Sequence, residues 1–312
     1  MKVLVTGGGG FLGISICKVL AERGDTAIAV DSFISSHLAK IASNQKNVLV
    51  RRGDITNLAS LCRIFKEERP DAVIHAAAVV GVVNSMMSPS NVFRVNLGGT
   101  INLFESMTWF DVKRVIHMSS EEIYGICESD LITEDHPQNP IYAYGISKLT
   151  VEHLGRTYQI TQGLECINLR TSWVYGPEFP RLRIPRDILE AALEGRPFHI
   201  KKGADSKIDH TYLDDLVQGT LKALDCKDHP YDAYHIASGT CPSGVEMVEY
   251  IKELIPGANI SIGPGAYQHA DKFEVPRKAA LDCTRAKEAF GYEPKYDLKA
   301  GLAAYLEYLR NN

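Results

Sequence analysis

The residues best suited to chemistry in this chain are a tyrosine and a lysine four positions apart, Tyr144 and Lys148, in the segment YGISK. On an α-helix this spacing puts the phenol and the ammonium on one face. A nearby ammonium stabilises a phenolate, so Tyr144 could act as a general base near neutral pH. The pattern also occurs by chance as an exposed helix pair, so its surroundings decide its meaning.

A serine-rich segment, MSSEEIYG at 118–125, lies upstream at the end of a predicted strand. Ligands bind at the carboxyl ends of strands in parallel sheets, so Ser120 is placed to hydrogen-bond a reacting hydroxyl. Two carboxylates follow it, Glu121 and Glu122. A carboxylate beside a reacting carbon can protonate a leaving hydroxyl or remove a proton. A glutamate near a strand end can equally be a solvated or capping charge.

A second candidate site is the glycine-rich loop after the first predicted strand. It carries the pattern G-x-x-G-x-x-G at Gly7, Gly10 and Gly13, with Phe11 and Leu12 between the last two. Glycines there allow a tight turn and a close approach of the backbone to a pyrophosphate. The helix that follows offers free N–H donors to the phosphates. The loop therefore predicts a dinucleotide cofactor.

The second predicted strand ends on a carboxylate, Asp31, which lies 18 residues after Gly13. A carboxylate at this place can accept hydrogen bonds from the adenosine ribose hydroxyls, and it repels a 2′-phosphate. Asp31 therefore favours NAD over NADP. Asp54 and Ile55, after the third strand, are candidates to flank the adenine, although Asp54 could instead cap a helix.

Short apolar segments alternate with helical stretches through the first half of the chain. Helices are predicted over Ile14–Arg23 and Asn57–Glu68, with Asn57 or Thr56 as the cap of the second. Several of the predicted strands lack a polar–apolar alternation, as expected of parallel strands covered on both faces. They are Lys2–Thr6, Thr26–Asp31, Val48–Arg51, Ala72–Ala76, Arg114–Met118 and Glu165–Leu169. Repeated βα units of this kind predict an α/β fold, a Rossmann-type doubly wound parallel sheet.

The pattern changes after about Arg170, where prolines and glycines become frequent. We expect an NAD-binding Rossmann domain over 1–170 and a smaller C-terminal α/β substrate-binding lobe over 171–312. The two are expected to interleave, because Ala233–Ala237 has the composition of a strand that returns to the main sheet.

Composition excludes several classes of protein. The 312 residues carry a net charge of -4, without the basic surplus that nucleic-acid binding requires. The seven cysteines are scattered without a C-x-x-C, and the histidines lack metal-ligand spacing, so neither a disulfide framework nor a metal site is expected. No membrane span or signal-peptide pattern is present. We therefore expect a cytoplasmic protein with a small-molecule substrate, and neither a nucleic-acid nor a membrane partner.

Together these motifs resemble the extended short-chain dehydrogenase/reductase family, in its NAD-dependent epimerase/dehydratase branch. The resemblance spans most of the chain and keeps the family order. The motifs are TGGGGFLG at 6–13, Asp31, GDI at 53–55, HAAA at 75–78, Asn96, SSEEIYG, YGISK, LRTSWVYGP at 169–177 and RAKEAFGYEP at 285–294.

The resemblance implies roles for individual residues. Tyr144 is the expected base, Lys148 orients the nicotinamide ribose, and Ser120 completes a triad. The cofactor contacts that it implies also include Ala76, Ala77, Ala78 and Asn96. His75 is expected to pack beside the cofactor. A homodimer formed through a four-helix bundle is usual in the family.

The implied chemistry is oxidation of a secondary hydroxyl of a sugar or nucleotide sugar to a ketone, followed by epimerisation or dehydration. In the family's sugar-nucleotide dehydratases and a related decarboxylase, an acid stands two positions after the triad serine or threonine, and Glu122 occupies that place. Glu122 is therefore a candidate catalytic acid or base. Glu121, together with Ser120, is a candidate for contact with the substrate.

The predicted substrate lobe departs from the family pattern at two positions. Trp173 stands where an Asn commonly grips the substrate diphosphate, and Ile208 replaces an Arg that has the same task. Trp173 could stack on a sugar face, narrow the pocket or belong to the core. The cations that could compensate are Lys207, Arg181, Arg183, Arg186 and Arg277, of which Lys207 and Arg277 are predicted to bind substrate.

Two other functions stay open at this stage. The lost diphosphate ligands favour an NAD-dependent dehydrogenase of a smaller free sugar, sugar acid or other secondary alcohol. A non-catalytic NAD(H)-sensing regulator is the alternative from another class. The intact set of Ser120, Tyr144 and Lys148 argues against it, because a sensor need not keep all three.

Overall fold

A computed structural model describes residues 1–180, 183–269 and 273–312. Its helices are α1 Phe11–Glu22, α2 Ser36–Asn44, α3 Leu58–Glu68, α4 Val82–Met87, α5 Pro89–Val92, α6 Gly99–Trp109, α7 Ala143–Gln162, α8 Arg186–Leu193, α9 Leu213–Asp225, α10 Gly244–Leu254, α11 Thr284–Phe290 and α12 Leu298–Asn311. Two other helical turns are a π-turn at Phe93–Gly98 and a 3-10 turn at Glu121–Ile123.

The strands are β1 Lys2–Thr6, β2 Thr26–Asp31, β3 Val48–Arg52, β4 Ala72–His75, β5 Arg114–Met118, β6 Leu131–Ile132, β7 Glu165–Arg170, β8 Trp173–Tyr175, β9 Phe198–Ile200, β10 His210–Tyr212, β11 Ala233–His235, β12 Ile260–Ile262, β13 Gln268–His269, β14 Phe273–Glu274 and β15 Ala280–Leu281. Seven of them form one parallel sheet in the order β11-β7-β5-β4-β1-β2-β3. The predicted α/β fold with a Rossmann-type parallel sheet is therefore confirmed.

The order in which the chain adds strands to the sheet reverses at β1. From β1 the chain moves outward to β2 and β3, and it then returns to β4 on the other side of β1. At such a reversal the loops after two neighbouring strands diverge and leave a crevice at their carboxyl ends. The loop after β1 carries the glycine motif and the loop after β4 carries Ala76–Ala78, so both predicted cofactor segments border this crevice.

Apolar packing holds the sheet between its helices. Leu4, Val73 and Val115 on neighbouring strands share one buried core with residues of α3, α6 and α7. On β1, Val3, Leu4 and Val5 are all fully buried, which explains why this strand lacks a polar face. The buried strands are thus a rigid base for the loops that leave their carboxyl ends.

Local differences from the predicted boundaries have physical causes. Helix α1 begins at Phe11 instead of Ile14, because the chain turns helical directly after Gly10. Helix α3 is capped by Asn57, whose side chain accepts a hydrogen bond from Ser60 N. The alternative that Asp54 caps this helix is wrong, since its carboxylate accepts from the backbone and hydroxyl of Thr56 in a preceding turn.

The chain divides into two compact units, each made of three separated segments. The first unit contains 1–123, 140–169 and 223–234, and the second contains 124–139, 170–222 and 235–312. The chain passes from the first unit to the second between 169 and 170, which is close to the predicted domain boundary. The segment 124–139 belongs to the second unit, which a single boundary could not show. The division into an NAD-binding domain and a substrate lobe stays a prediction.

The second unit contains two short parallel strand pairs, β8 with β10 and β9 with β12. Its core includes Trp173, Tyr175 and Ile208, packed with residues of α8, α10 and α12. The seven cysteines all lie within the described residues and form no disulfide bond there. Within the described ranges, no helix is both long and apolar enough to cross a membrane.

Candidate active site

The glycine loop is packed so tightly that side chains cannot enter it. A methyl group added at Gly13 would lie 2.1 Å from the carbonyl oxygen of Gly7, and one added at Gly7 would lie 2.7 Å from Ala77 N. Gly7 also has a φ of 70°, a conformation that glycine adopts without strain. The loop after β1 therefore lies directly against the loop after β4, and helix α1 starts with its N-terminus open beside them.

Asp31 lies against this loop. Its carboxylate accepts hydrogen bonds from Gly9 N at 3.0 Å and from Phe33 N at 3.0 Å. These bonds fix the carboxylate beside the glycine turn, and each oxygen keeps a lone pair for another donor. Asp31 is therefore in a position that suits a ribose next to a pyrophosphate.

The loop after β4 is held by a buried histidine. His75 Nε2 lies 2.8 Å from the hydroxyl of Thr100, which itself donates to Asn96 O, so this nitrogen carries the proton. Its Nδ1 then accepts from Thr6 at 2.7 Å. Burial, together with the smaller effect of the Lys148 charge, lowers the pKa of His75 to about 3. His75 is thus a neutral structural group, and its predicted place beside the cofactor stays a prediction.

The predicted cofactor ligand Asn96 is buried, and its side chain has internal partners. The amide accepts a hydrogen bond from Val79 N at 2.7 Å and donates to Ser147 Oγ at 3.0 Å. It therefore links the segment after β4 to helix α7. A contact of Asn96 with the cofactor stays a prediction.

Tyr144 and Lys148 lie in the first two turns of α7, as the spacing predicts. The Lys148 Nζ lies 5.9 Å from the centroid of the Tyr144 ring. Both side chains are buried, with 8% of Tyr144 and 4% of Lys148 exposed, which excludes the interpretation as an exposed helix pair. A left-handed residue, Gly163, ends the helix 15 residues after Lys148.

The Lys148 ammonium is held in a nearly dry environment. It donates to the carbonyl oxygen of Met118 at 2.5 Å and lies 3.4 Å from His117 Nε2. Burial lowers the pKa of Lys148 to about 8, and Glu152 on the next helical turn opposes this shift. The ammonium is therefore charged at neutral pH, and it loses its charge as the pH rises through about 8.

The Ser120 turn approaches α7 through a second close contact. A methyl group added at Gly145 would lie 2.3 Å from the carbonyl oxygen of Glu122, so only glycine lets the helix come this near. Ser120 Oγ accepts a hydrogen bond from Glu122 N at 3.2 Å. Glu121 is 4% exposed and Glu122 is 8% exposed, so the interpretation of either as a solvated charge is wrong.

Trp173 and Ile208, which replace the two expected diphosphate ligands, are 5% and 2% exposed. Trp173 stacks on His269 at 5.3 Å between ring centroids, and the Arg183 guanidinium lies 4.4 Å from its ring. Of the three alternatives for Trp173, this packing supports the core position. Its role as a substrate ligand stays a prediction.

The candidate cations of the second unit have partners at its surface. Lys207 and Arg277 both bind the carboxylate of Asp130, at 3.3 Å and 2.7 Å. Arg186 pairs with Glu190 at 2.6 Å, and Arg181 lies outside the described residues. The structure thus brings Lys207 and Arg277 together around one carboxylate.

No cluster of three or more His, Cys, Asp or Glu side chains able to hold a metal ion is present in 1–180, 183–269 and 273–312.

Comparison with known proteins gives a family. The family model described as "NAD dependent epimerase/dehydratase family" matches residues 3–237. The chain belongs to this family. It is 28% identical to a dTDP-glucose 4,6-dehydratase of Xanthomonas campestris pv. campestris, over 99% of this chain and 93% of that protein.

Two solved structures are also similar. A UDP-glucose 4-epimerase of Thermotoga maritima, determined with UDP-glucose, has a TM-score of 0.89 and 30% identity and covers 100% of this chain and 99% of its own. A UDP-glucose 4-epimerase of Thermus thermophilus, in complex with NAD, has a TM-score of 0.85 and 27% identity, with 99% of both chains covered.

This epimerase/dehydratase is accordingly an enzyme with NAD as its cofactor, and the alternative of a non-catalytic sensor is set aside. The observed geometry fits NAD, because the glycine turn leaves room only for backbone beside Ala77 and the carboxylate of Asp31, at the end of β2, is hydrogen-bonded to Gly9 in this turn. The residue contacts themselves stay predictions.

The motifs do not indicate the roles of two further residues of the site, Gly145 and Glu152. Glu152 follows Lys148 by four positions, so helical spacing alone could have indicated it. It is fully buried and accepts a hydrogen bond from Ser119 Oγ at 2.5 Å.

Proposed function

We propose that this epimerase/dehydratase oxidises a secondary hydroxyl of a sugar or nucleotide sugar, with Tyr144 as the general base and with Lys148 and Ser120 as its partners. The observation that carries the proposal is the buried Lys148 ammonium one helical turn after Tyr144. Burying such a charge costs several kcal/mol, and strongly shifted groups of this kind cluster at functional sites. NAD, when bound, takes up the hydride from the carbon that is oxidised.

The residues divide the proton chemistry among them. The phenolic oxygen of Tyr144 removes the hydroxyl proton of the substrate as the alcohol carbon becomes a ketone. The positive charge of Lys148 stabilises the phenolate form of Tyr144 relative to the phenol. The phenolate is the form that can accept the proton near neutral pH. The hydroxyl of Ser120 hydrogen-bonds the oxygen that loses the proton. Each of these groups lies in or beside the first turns of α7 or the turn after β5.

A nucleotide sugar is supported by the names of the relatives, a dTDP-glucose dehydratase and UDP-glucose epimerases. Glu122 supports a route with elimination. Its carboxyl lies two residues after Ser120 in a buried turn, so it could protonate a leaving hydroxyl or remove the proton next to the ketone.

A second candidate is an NAD-dependent dehydrogenase of a smaller sugar, sugar acid or other secondary alcohol. The specific observation in its favour is that Trp173 and Ile208 are core residues at the two positions where diphosphate ligands are expected. A smaller substrate needs neither ligand.

The experiment that separates the candidates is incubation of the purified enzyme with NAD and each of UDP-glucose, dTDP-glucose, glucose and gluconate. A changed sugar nucleotide without net NADH supports the epimerase/dehydratase proposal. Stoichiometric NADH with glucose or gluconate supports the smaller-substrate dehydrogenase instead. Absence of turnover with every compound would contradict both candidate substrate classes.

Replacing Glu122 by Gln is expected to separate oxidation from elimination. The amide keeps the shape of the side chain and loses its proton chemistry, so we expect dehydration to fall by about 100-fold or more while substrate oxidation in a single turnover persists. Transient NADH absorbance at 340 nm, measured beside the dehydrated product, distinguishes the two steps.

Glu128→Gln is the control, because it changes an exposed carboxyl outside this turn. We expect this variant to keep elimination within a few-fold. Equal dehydration by the wild type and Glu122→Gln would remove Glu122 from the mechanism.

We also propose that the protein is a homodimer formed by α6 and α7. Both helices carry exposed apolar side chains, Ile101 and Trp109 on α6 and Ile146 and Ile160 on α7. Ile160 is 85% exposed and Trp109 is 59% exposed, and large apolar side chains exposed in this way can mark an interaction site. Two copies of such a helix pair bury these residues in a four-helix bundle.

Ile160→Asp tests this surface. A charge buried without a partner costs about 3–5 kcal/mol, so the dissociation constant of the dimer should rise by at least about 100-fold. Sedimentation velocity should then show a monomer at concentrations where the wild type is a dimer. The control is Val245→Asp on α10, which is 47% exposed and belongs to the second unit. A monomeric wild type, or a dimer unaffected by Ile160→Asp, contradicts the proposal.

A further inference from the structure

We infer that His117 is a positioning residue that holds the Lys148 ammonium through a neutral imidazole, and that Asn168 fixes the tautomer which makes this possible. The inference rests on the proposed function, in which Lys148 assists Tyr144. It is carried by three hydrogen-bond contacts in series, one partly buried and two buried, which lead from Asp232 through Asn168 on β7 and His117 on β5 to Lys148 on α7. The sequence indicates His117 only as one residue of the predicted strand Arg114–Met118.

The direction of each hydrogen bond follows from the contact with Asp232, at one end of this series of hydrogen bonds. The carbonyl oxygen of Asp232 can only accept, so the group of Asn168 that lies 2.9 Å from it is the donating Nδ2. The Asn168 Oδ1 therefore faces His117 Nδ1 at 2.9 Å as an acceptor. This bond places the imidazole proton on Nδ1 and leaves a lone pair on Nε2.

The lone pair of His117 Nε2 points to the Lys148 ammonium, 3.4 Å away. An ammonium has three donors and no acceptor, so a neutral imidazole is a suitable partner and a protonated one is excluded. Burial, the charge of Lys148 and the neighbouring His75 hold the pKa of His117 well below its usual range. The imidazole is therefore neutral, and able to accept from the charged Lys148, at neutral pH.

Other groups around the ammonium cannot replace this contact. Glu152 and Tyr144 face it from its own helix, and the carbonyl oxygen of Met118 accepts one bond from the β5 side. His75 on β4 packs on His117 at 5.9 Å between ring centroids, with both of its nitrogens already bonded. His117 is 1% exposed, so water has little access to the position.

The hydrogen bond from Lys148 to His117 affects both the position and the charge of the Lys148 amine. An acceptor favours the charged form of the amine, so its loss lowers the pKa of Lys148 further. A hydrogen bond to a charged group, lost in a buried site, corresponds to about a tenfold to hundredfold change in an equilibrium or rate. A histidine that served only to fill space would affect stability and leave the titration of Lys148 unchanged.

The test compares His117→Leu, which removes the acceptor, with His117→Gln, whose side-chain carbonyl can accept in the same direction. The Lys148 amine is followed by ¹³Cε NMR titration of the intact protein, with its signal assigned by its absence in Lys148→Met. We expect its midpoint to fall by roughly 0.5 unit or more in His117→Leu and to return toward the wild type in His117→Gln. With UDP-glucose or dTDP-glucose as substrate, kcat/KM should fall about tenfold to a hundredfold only in His117→Leu, with the alkaline limb of the pH profile moving to lower pH.

An unchanged titration in a folded His117→Leu overturns the inference. If that variant does not fold, imidazole ¹⁵N NMR of the wild type decides: a protonated Nδ1 and an unprotonated Nε2 that responds to Lys148→Met support this series of hydrogen bonds, and a protonated Nε2 contradicts it. The outcome is separable from the proposed function, because activity that survives in Tyr144→Phe defeats that function whatever His117 does.

Discussion

Tyr144→Phe is expected to reduce turnover by about 100- to 10,000-fold, the contribution that a positioned general base makes. The substitution removes only the phenolic oxygen. The ring, which is 8% exposed, remains in its packing, and Lys148 keeps its partners His117 and Met118. Folding and NAD affinity should therefore stay close to those of the wild type. Initial rates with UDP-glucose and dTDP-glucose, together with a fluorescence titration of NAD, measure both effects.

Tyr142→Phe is the matched control, since the same oxygen is removed two residues earlier, at the residue before α7 begins. Its rate should lie within a few-fold of the wild type. A Tyr144→Phe enzyme that turns over as fast as Tyr142→Phe would contradict the assignment of Tyr144 as the general base. A loss that is confined to KM for the substrate would point to binding instead of proton transfer.

Gly13→Ala is expected to weaken NAD binding by about tenfold to a hundredfold, corresponding to roughly 1–3 kcal/mol of strain in a filled site. The new methyl would lie 2.1 Å from the carbonyl oxygen of Gly7, which is backbone and cannot rotate away. The glycine turn and the start of α1 must then separate, which moves the N–H groups that we expect to bind the pyrophosphate. Calorimetric titration with NAD gives the affinity, and thermal melting in its absence gives the cost to the fold.

Gly98→Ala is the control for this change. Gly98 has a helical φ of -61°, and an added methyl would meet only Phe93 O at 4.0 Å. Alanine stabilises a helix by up to about 1 kcal/mol relative to glycine, so this variant should melt no lower than the wild type and bind NAD equally well. Equal NAD affinity in Gly13→Ala and Gly98→Ala would show that the close contact at Gly13 does not shape the cofactor site.

Much of the fold and the cofactor site could be predicted from local features of the sequence. The strands of the main sheet were predictable because each is an apolar segment bounded by turn residues, and the predicted ends differ from the observed ones by one or two residues. The pair Tyr144 and Lys148 was predictable because helical spacing puts both on one face. The glycine loop and Asp31 were predictable because they directly follow strands β1 and β2.

The sequence alone determined the family resemblance, the parallel sheet, NAD and the choice of Tyr144 and Lys148, because each depends on residues close together in the chain. Only the tertiary structure decided which residues from distant parts of the sequence contact Lys148 and which belong to the core. Asn168 on β7, His117 on β5 and Lys148 on α7 are brought together by strand order, and Trp173 and Ile208 enter the core through packing of short elements far apart in sequence. Spacing along the chain carries no information about such contacts, since they arise from the crossovers that fold the sheet.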